Sequence, residues 1–390
     1  MGQLSAAAAR WLPFSTLSAL ALLLANMYFV RVRVLSDLVT VLFCGTAILA
    51  LVGRAEARPF LAGLARWLGV AGGLVLAAFL LGRAVSGAEA LRALHSLLLI
   101  AGFVLFARAA LRQLGAARLM RVLFAAGAIS AATSVALHLL TAEPLWARIE
   151  MLGRAWNPIP AAAAIAAAGL AGLALLRGGC LEGRWRGMAW AGLGAILLAM
   201  LLTQSRGPLI GALLGAALLL LPPQGARRGW MLPPLAFLAA SSLVLLEAPL
   251  RMLFCEGDGL FCRPSLRQEL WSKSLELILA EPLTGMGMGH PLGEGWLNNP
   301  QNAVLATAVY FGLPFLLAAL VALGLLLRRA ARLEPTVAVR WAMAMMVFSA
   351  AYFSFEPSPF AFYNAHYLFF WLPVAVLLSV SPAPERKAAG

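Results

Sequence analysis

The chain has 390 residues, 62% of them hydrophobic and only 12% charged, under half the charged fraction of an ordinary soluble domain. Apolar stretches of 17 residues or more recur along its length, which excludes a soluble globular fold and predicts a polytopic membrane protein. The net charge of +14 would suit a nucleic-acid partner, but the basic residues follow the loops in a topological pattern, and no nucleic acid is expected.

In lipid the backbone must satisfy its own hydrogen bonds, so only helical bundles and closed barrels are open to such a chain. The apolar runs are continuous, rich in Leu and Ala, and show no alternation. The expected fold is therefore all-α, with roughly twelve spans centred near residues 23, 43, 72, 100, 130, 167, 195, 215, 238, 315, 347 and 373. The first follows Arg10 and has the outline of a signal peptide. Its apolar part is long and no convincing cleavage site follows, so it reads as a membrane helix. With the N-terminus in the cytoplasm, about 19 of the 30 Lys and Arg fall inside, among them Arg54, Arg58, Arg112, Arg118, Arg184, Arg186, Arg227, Arg228, Arg328, Arg329 and Arg332, and about 12 of the 16 acids fall outside. This positive-inside bias predicts two cytoplasmic termini and a single membrane domain over residues 1–390. Its longest outside loop, residues 248–302, carries short helices.

Basic residues left on the outside break that pattern. Arg31, Arg33, Arg83 and Arg92 are explained by long side chains reaching for the interface. Further along, "RIEMLGRAWNPIP" brings Arg148 and Arg154 to the approach of the sixth span, where Asn157-Pro158 marks a helix start. They read either as interfacial anchors beside Trp146 and Trp156 or as ligand contacts. "TQSRGP" then joins the seventh and eighth spans through a sharp turn expected at Gly207-Pro208. Arg206 sits beside a helix N-terminus, an unfavourable place for a cation unless an anion shares the site.

The long loop repeats that placement. Ser265 and Gln268 have capping-box spacing, the run to Ala280 suits a short helix, and Arg267 lies in its first turn. Leu266, Leu270, Trp271, Ser274 and Leu277 fall on one side, as in a helix lying on the bilayer or over a cavity. Two guanidinium groups beside helix starts on one side of the membrane suit a phosphate or pyrophosphate clamp, because their forks match phosphate oxygens. In the same loop Cys255 and Cys262 bracket "CEGDGLFC" and form a disulfide candidate in an oxidising compartment. "GMGMGHP" is a weak phosphate-loop signal, with no strand before it. His290 is either a solvated loop residue or a participant in the site. His95, His138 and His366 read as packing or interfacial residues.

The order of "RIEMLGRAWNPIP", "TQSRG", "LRQELWSKSLELILAEPLTGMGMG" and "NNPQNAVLATAVYFGLP" resembles the O-antigen ligase and polymerase superfamily over residues 145–330. The resemblance implies a multi-pass glycosyltransferase of the bacterial inner membrane with a periplasmic active site. It would move a glycan from undecaprenyl pyrophosphate to a lipid A–core sugar, with no metal or cofactor. Its essential arginines carry over onto Arg206 and Arg267, with Arg148, Arg154 and Asn302 as substrate contacts. Gln301 stands where the family has a histidine, and an amide cannot act as a base. Either His290 supplies the proton acceptor or transfer proceeds without a histidine base, Gln301 then positioning a hydroxyl or phosphate oxygen. The alternatives are an O-antigen polymerase or other glycan ligase using the same donor, a transporter of anionic solutes, and a family member that has lost activity.

Overall fold

The computed structural model describes residues 2–30, 33–52, 58–82, 85–141, 147–153, 157–222, 230–246, 266–288, 290–293, 299–357 and 366–380. Arg154, Cys255 and Cys262 lie outside the described residues. The helices in chain order are α1 (Gly2–Tyr28), α2 (Arg33–Val52), α3 (Arg58–Leu81), α4 (Gly87–Leu114), α5 (Ala116–Leu140), α6 (Pro158–Arg177), α7 (Arg184–Leu202), α8 (Arg206–Leu220), α9 (Leu232–Leu245), α10 (Arg267–Ala280), α11 (Ala303–Ala330), α12 (Val337–Phe353) and α13 (Leu372–Ser379), the last entered through a π-helical turn at Tyr367–Trp371. The chain is an all-α polytopic membrane protein. Among the described residues six helices are long and apolar enough to cross a membrane, and six shorter apolar helices accompany them. Each expected span centre falls within one of these twelve segments.

Between helices in lipid the hydrophobic effect gives no drive, so close approach through small residues carries the packing. Helix α6 shows this: Ala161 to Ala164 and Ala166 to Ala168 are all buried, and α5, α7, α8 and α12 pack around it. Helix α8 lies along α12 because its glycines leave room. A Cβ at Gly211 would stand 2.9 Å from the Phe348 carbonyl oxygen, and one at Gly215 2.9 Å from that of Ala344.

Asn157 caps α6 by accepting from the Ile159 N–H, with Pro158 in the first turn, as its sequence predicts. Helix α10 differs from expectation. Its N-cap is Leu266, without a side-chain cap. Ser265, the other half of the expected capping box, lies outside the described residues; Gln268 Nε2 donates to the Val244 and Leu245 carbonyls (3.1 and 3.3 Å) at the end of α9. Those last-turn carbonyls lack an N–H partner within their own helix, and the Gln268 amide supplies one. The face of α10 turned inward is Leu270, Ser274 and Ile278, while Leu266 is exposed.

Helix α11 is broken near its head. Gly312 leaves the helix at φ 80° and Pro314 follows, so the backbone there needs outside partners, as any break at membrane depth must. The "PLTGMG" segment supplies them. Met286 N donates to Val309 O (2.6 Å), Gly287 N to Tyr310 O (3.2 Å), and Leu313 N to Pro282 O (2.8 Å). Gly285 and Gly287 of the alternating set serve this docking. Gly285 sits at φ 69°, where a Cβ would be 2.6 Å from the Gly312 nitrogen, and one on Gly287 would be 2.6 Å from the Glu89 carboxylate.

Candidate functional site at the head of the bundle

At one end of the bundle the chain turns from α7 into α8 through Thr203, Gln204 and Ser205. The turn lies one step earlier than expected, because Gly207 and Pro208 belong to the first turn of α8, where proline's missing N–H costs nothing. Arg148 ties it down: Nε donates to Thr203 O at 2.8 Å and Nη2 to Ser205 Oγ at 3.3 Å. Beside it Ile149 N donates to Leu202 O at 3.1 Å. Ser205 is the N-cap residue but makes no cap; its hydroxyl donates to Thr203 O. Arg206, half-buried, opens α8.

Gln204 and Gln301 both have φ near 52°. The left-handed region costs a non-glycine residue roughly 1–2 kcal/mol. Each glutamine immediately precedes the N-cap of a helix, Ser205 for α8 and Asn302 for α11. Asn302 is 3% exposed and its amide is fully engaged. Oδ1 accepts from Val304 N (3.0 Å) and Leu305 N (3.1 Å), and Nδ2 donates to Ser354 O at 3.5 Å. That arrangement fixes the head of α11.

These elements meet on Ser354, Phe355 and Glu356, the turn that ends α12. Ser354 Oγ donates to Phe237 O of α9 at 3.0 Å, while its carbonyl takes the Asn302 amide of α11. The Phe355 ring lies against Gly207 of α8, whose Cβ would stand 2.9 Å from it. The Arg267 guanidinium of α10 sits over the same ring, 5.6 Å from its centroid, a cation–π contact. Arg267 and the residue next to Arg206 therefore flank one aromatic ring.

Glu356, half-buried beside them, is the residue that sequence reasoning passed over. Burial raises its carboxyl from the usual range to about 7, and the Arg267 charge, pulling the other way, does not restore it. A signal for it was present: "FSFEPSPF" sets a single acid between two apolar runs, and an ionisable residue in that setting marks function by default.

His290 follows the glycine segment docked on α11. Its backbone N–H bonds the Gly287 carbonyl at 3.3 Å, in the segment docked on Val309 and Tyr310, about two helical turns along α11 from the Asn302 cap. Among the described residues no hydrogen bond or ion pair joins its ring to Arg206, Arg267 or Gln301. His366 packs between Phe353 and Phe369, ring centroids 5.2 and 5.3 Å away. No group of three His, Cys, Asp or Glu among the described residues is placed to hold a metal ion.

No curated protein matches the chain. Residues 191–320 match the family model for O-antigen ligase. That stretch runs from α7 into α11 and holds Arg206, Arg267, His290, Gln301 and Asn302, whereas Arg148 and Glu356 lie outside it. Over that segment, a third of the chain, the protein is similar to the O-antigen ligase family.

Proposed function

We propose that the protein moves a glycan from undecaprenyl pyrophosphate to a sugar of lipid A–core, on the periplasmic face of a bacterial inner membrane, without a metal or cofactor. The family match supports an O-antigen ligase- or polymerase-type glycosyltransferase. The observation that carries the finer reading is the meeting of Arg267 with the start of α8 on Phe355. Two helices begin there with arginines, and each brings the partial positive charge of its N-terminus.

Breaking a sugar–pyrophosphate bond leaves negative charge on the departing phosphate oxygens. Guanidinium groups already in place stabilise that charge most in the transition state, which is where binding energy accelerates a reaction. Arg206 and Arg267 take this role. Arg148 acts on the same site by holding the turn that presents Arg206, and Asn302 by fixing the head of α11 against Ser354. Gln301, next to that cap, is left to orient the acceptor hydroxyl or a phosphate oxygen through its amide. Arg154 is assigned a donor contact on its place in the sequence alone.

The test is to incubate purified protein in lipid with undecaprenyl-pyrophosphate-linked O-antigen and lipid A–core. Joined glycan and released undecaprenyl pyrophosphate are expected. Lengthened lipid-linked glycan instead would make the protein a polymerase, and an untouched donor would end the reading. Sidedness is tested with single cysteines at exposed Glu276 and Glu334. Periplasmic reagent should label the first and spare the second.

A further inference from the structure

The transfer step needs somewhere for the acceptor proton to go. Gln301 cannot take it, and the His290 segment docks along α11, away from the cap that holds Gln301. The other acids described at this end are engaged or turned outward. Glu89 closes the capping box of α4 with Ser86, Glu281 accepts from Thr284 Oγ1, and Glu150 and Glu269 are exposed. Glu356 is different on three counts. It follows Phe355, which contacts both α8 and α10. It lies close enough to Arg267 to feel its charge. It is half-buried in the turn to which the head of α11 is tied.

We propose that Glu356 is the proton acceptor of the glycosyl transfer, taking the acceptor sugar's hydroxyl proton as that oxygen attacks the anomeric carbon beside Arg206 and Arg267. The inference rests on the function proposed above. In the step, the acceptor oxygen–carbon bond forms and the carbon–oxygen bond to pyrophosphate breaks. The bonding pair leaves on the phosphate oxygen, facing the arginines, and the proton passes to the Glu356 carboxylate, which later releases it to water. Among the described residues, the charged and titratable groups that bear on Glu356 are Arg267 from α10 and the Tyr352 phenol from its own helix, with Arg206 adjoining Gly207, which touches the Phe355 ring. A carboxyl that titrates at about 7 is poised for base work near neutral pH, where a correct protonation state and a useful driving force coincide.

The experiment compares wild type, Glu356→Gln and Glu356→Asp, reading product formation against pH and binding of undecaprenyl pyrophosphate separately. Wild-type kcat should climb about tenfold per pH unit below pH 7 and level off above it, because only the ionised carboxylate accepts a proton. Glu356→Gln should lose about a hundredfold or more in kcat, lose that acid limb, and hold undecaprenyl pyrophosphate within about threefold of wild type. Glu356→Asp should keep the acid limb at a reduced rate. Folding is followed alongside. Burial raises this carboxyl above its unfolded value, so its favourable contribution is present at acid pH and is lost as pH rises through about 7. Glu356→Gln should therefore melt no lower than wild type at pH 8. Full activity with an unchanged pH profile in Glu356→Gln would overturn the proposal, as would equal loss of rate and pyrophosphate binding. A wild-type protein that neither binds nor consumes the donor would instead overturn the proposed function itself.

Discussion

The two ends of the helical bundle use arginine in opposite ways. At one end arginines reach the carbonyls left where neighbouring helices finish. Arg340 donates to Leu219 O and Leu221 O, both at 2.7 Å, Arg177 to Leu220 O at 3.3 Å, Arg329 to Val380 O at 2.8 Å, and Arg121 to Cys180 O at 2.9 Å. Helix C-termini carry unsatisfied carbonyls and partial negative charge, so these cations stabilise the fold where they stand. At the other end Arg206 and Arg267 are the first residues of α8 and α10, where the helix dipole opposes them. Arg148, at that same end, follows the structural pattern and spends itself on Thr203 and Ser205. A cation set against the dipole becomes favourable when an anion joins both, and under the proposed function Arg206 and Arg267 meet that anion in the donor pyrophosphate.

Breaking the contrast at the ligand-facing arginines should have the largest effect. Arg206→Ala or Arg267→Ala should lower transfer by about a hundredfold to a thousandfold, the range for removing one donor to developing negative charge, with normal membrane insertion. Lys should restore little, since it lacks the bidentate fork. Arg340→Ala, by contrast, should leave kcat within about threefold and lower the melting temperature. Equal kinetic losses in all three would erase the distinction between the two ends.

A smaller effect is expected from the packing that carries the contrast. Gly215→Leu drives a side chain against the Ala344 carbonyl and Leu170, and overpacking typically costs about 1–3 kcal/mol. Because α8 presents Arg206 at its head, the substitution should reduce activity and melting temperature together, in a proteoliposome assay. Wild-type behaviour in both would show that the α8–α12 approach is looser than it looks.

Next in size is Asn302→Ala, which removes a cap worth about 0.5–2 kcal/mol and the tie to Ser354. Thermal unfolding should report that loss, with activity falling several-fold. Asn302→Asp should recover the cap but not the tie, which separates the two contributions. His290→Ala should change least. Its segment braces the Gly312 break through backbone bonds, so rate is expected within about threefold of wild type, whereas Gln301→Ala should be impaired. A hundredfold loss in His290→Ala would return the histidine to the site.

What was legible and what was not divides by the range of the interaction. The helix starts at Asn157 and Arg267 are written locally, in cap residues, proline and hydropathy. Nothing local announced that the Gln268 amide would reach the end of α9, 23 and 24 residues back. The glycine alternation of "TGMGMG" matched a ligand-loop pattern, and only the broken α11 shows that Gly285 admits backbone against backbone while Gly287 makes room for the Glu89 carboxylate.

By itself, then, the sequence determined the membrane class, the helical content, the places of the apolar segments and the two arginines at helix starts. Hydropathy and helix-end electrostatics act over a few residues, so composition and spacing suffice to read them. Tertiary structure alone decided that the heads of α8, α10 and α11 meet on the turn at Ser354 to Glu356. Its defining contacts span 52 residues to Asn302 and 117 to Phe237. The Glu356 carboxyl likewise takes its character from burial and from Arg267, a residue on another helix. Long-range packing sets both, and neither leaves a periodic trace along the chain.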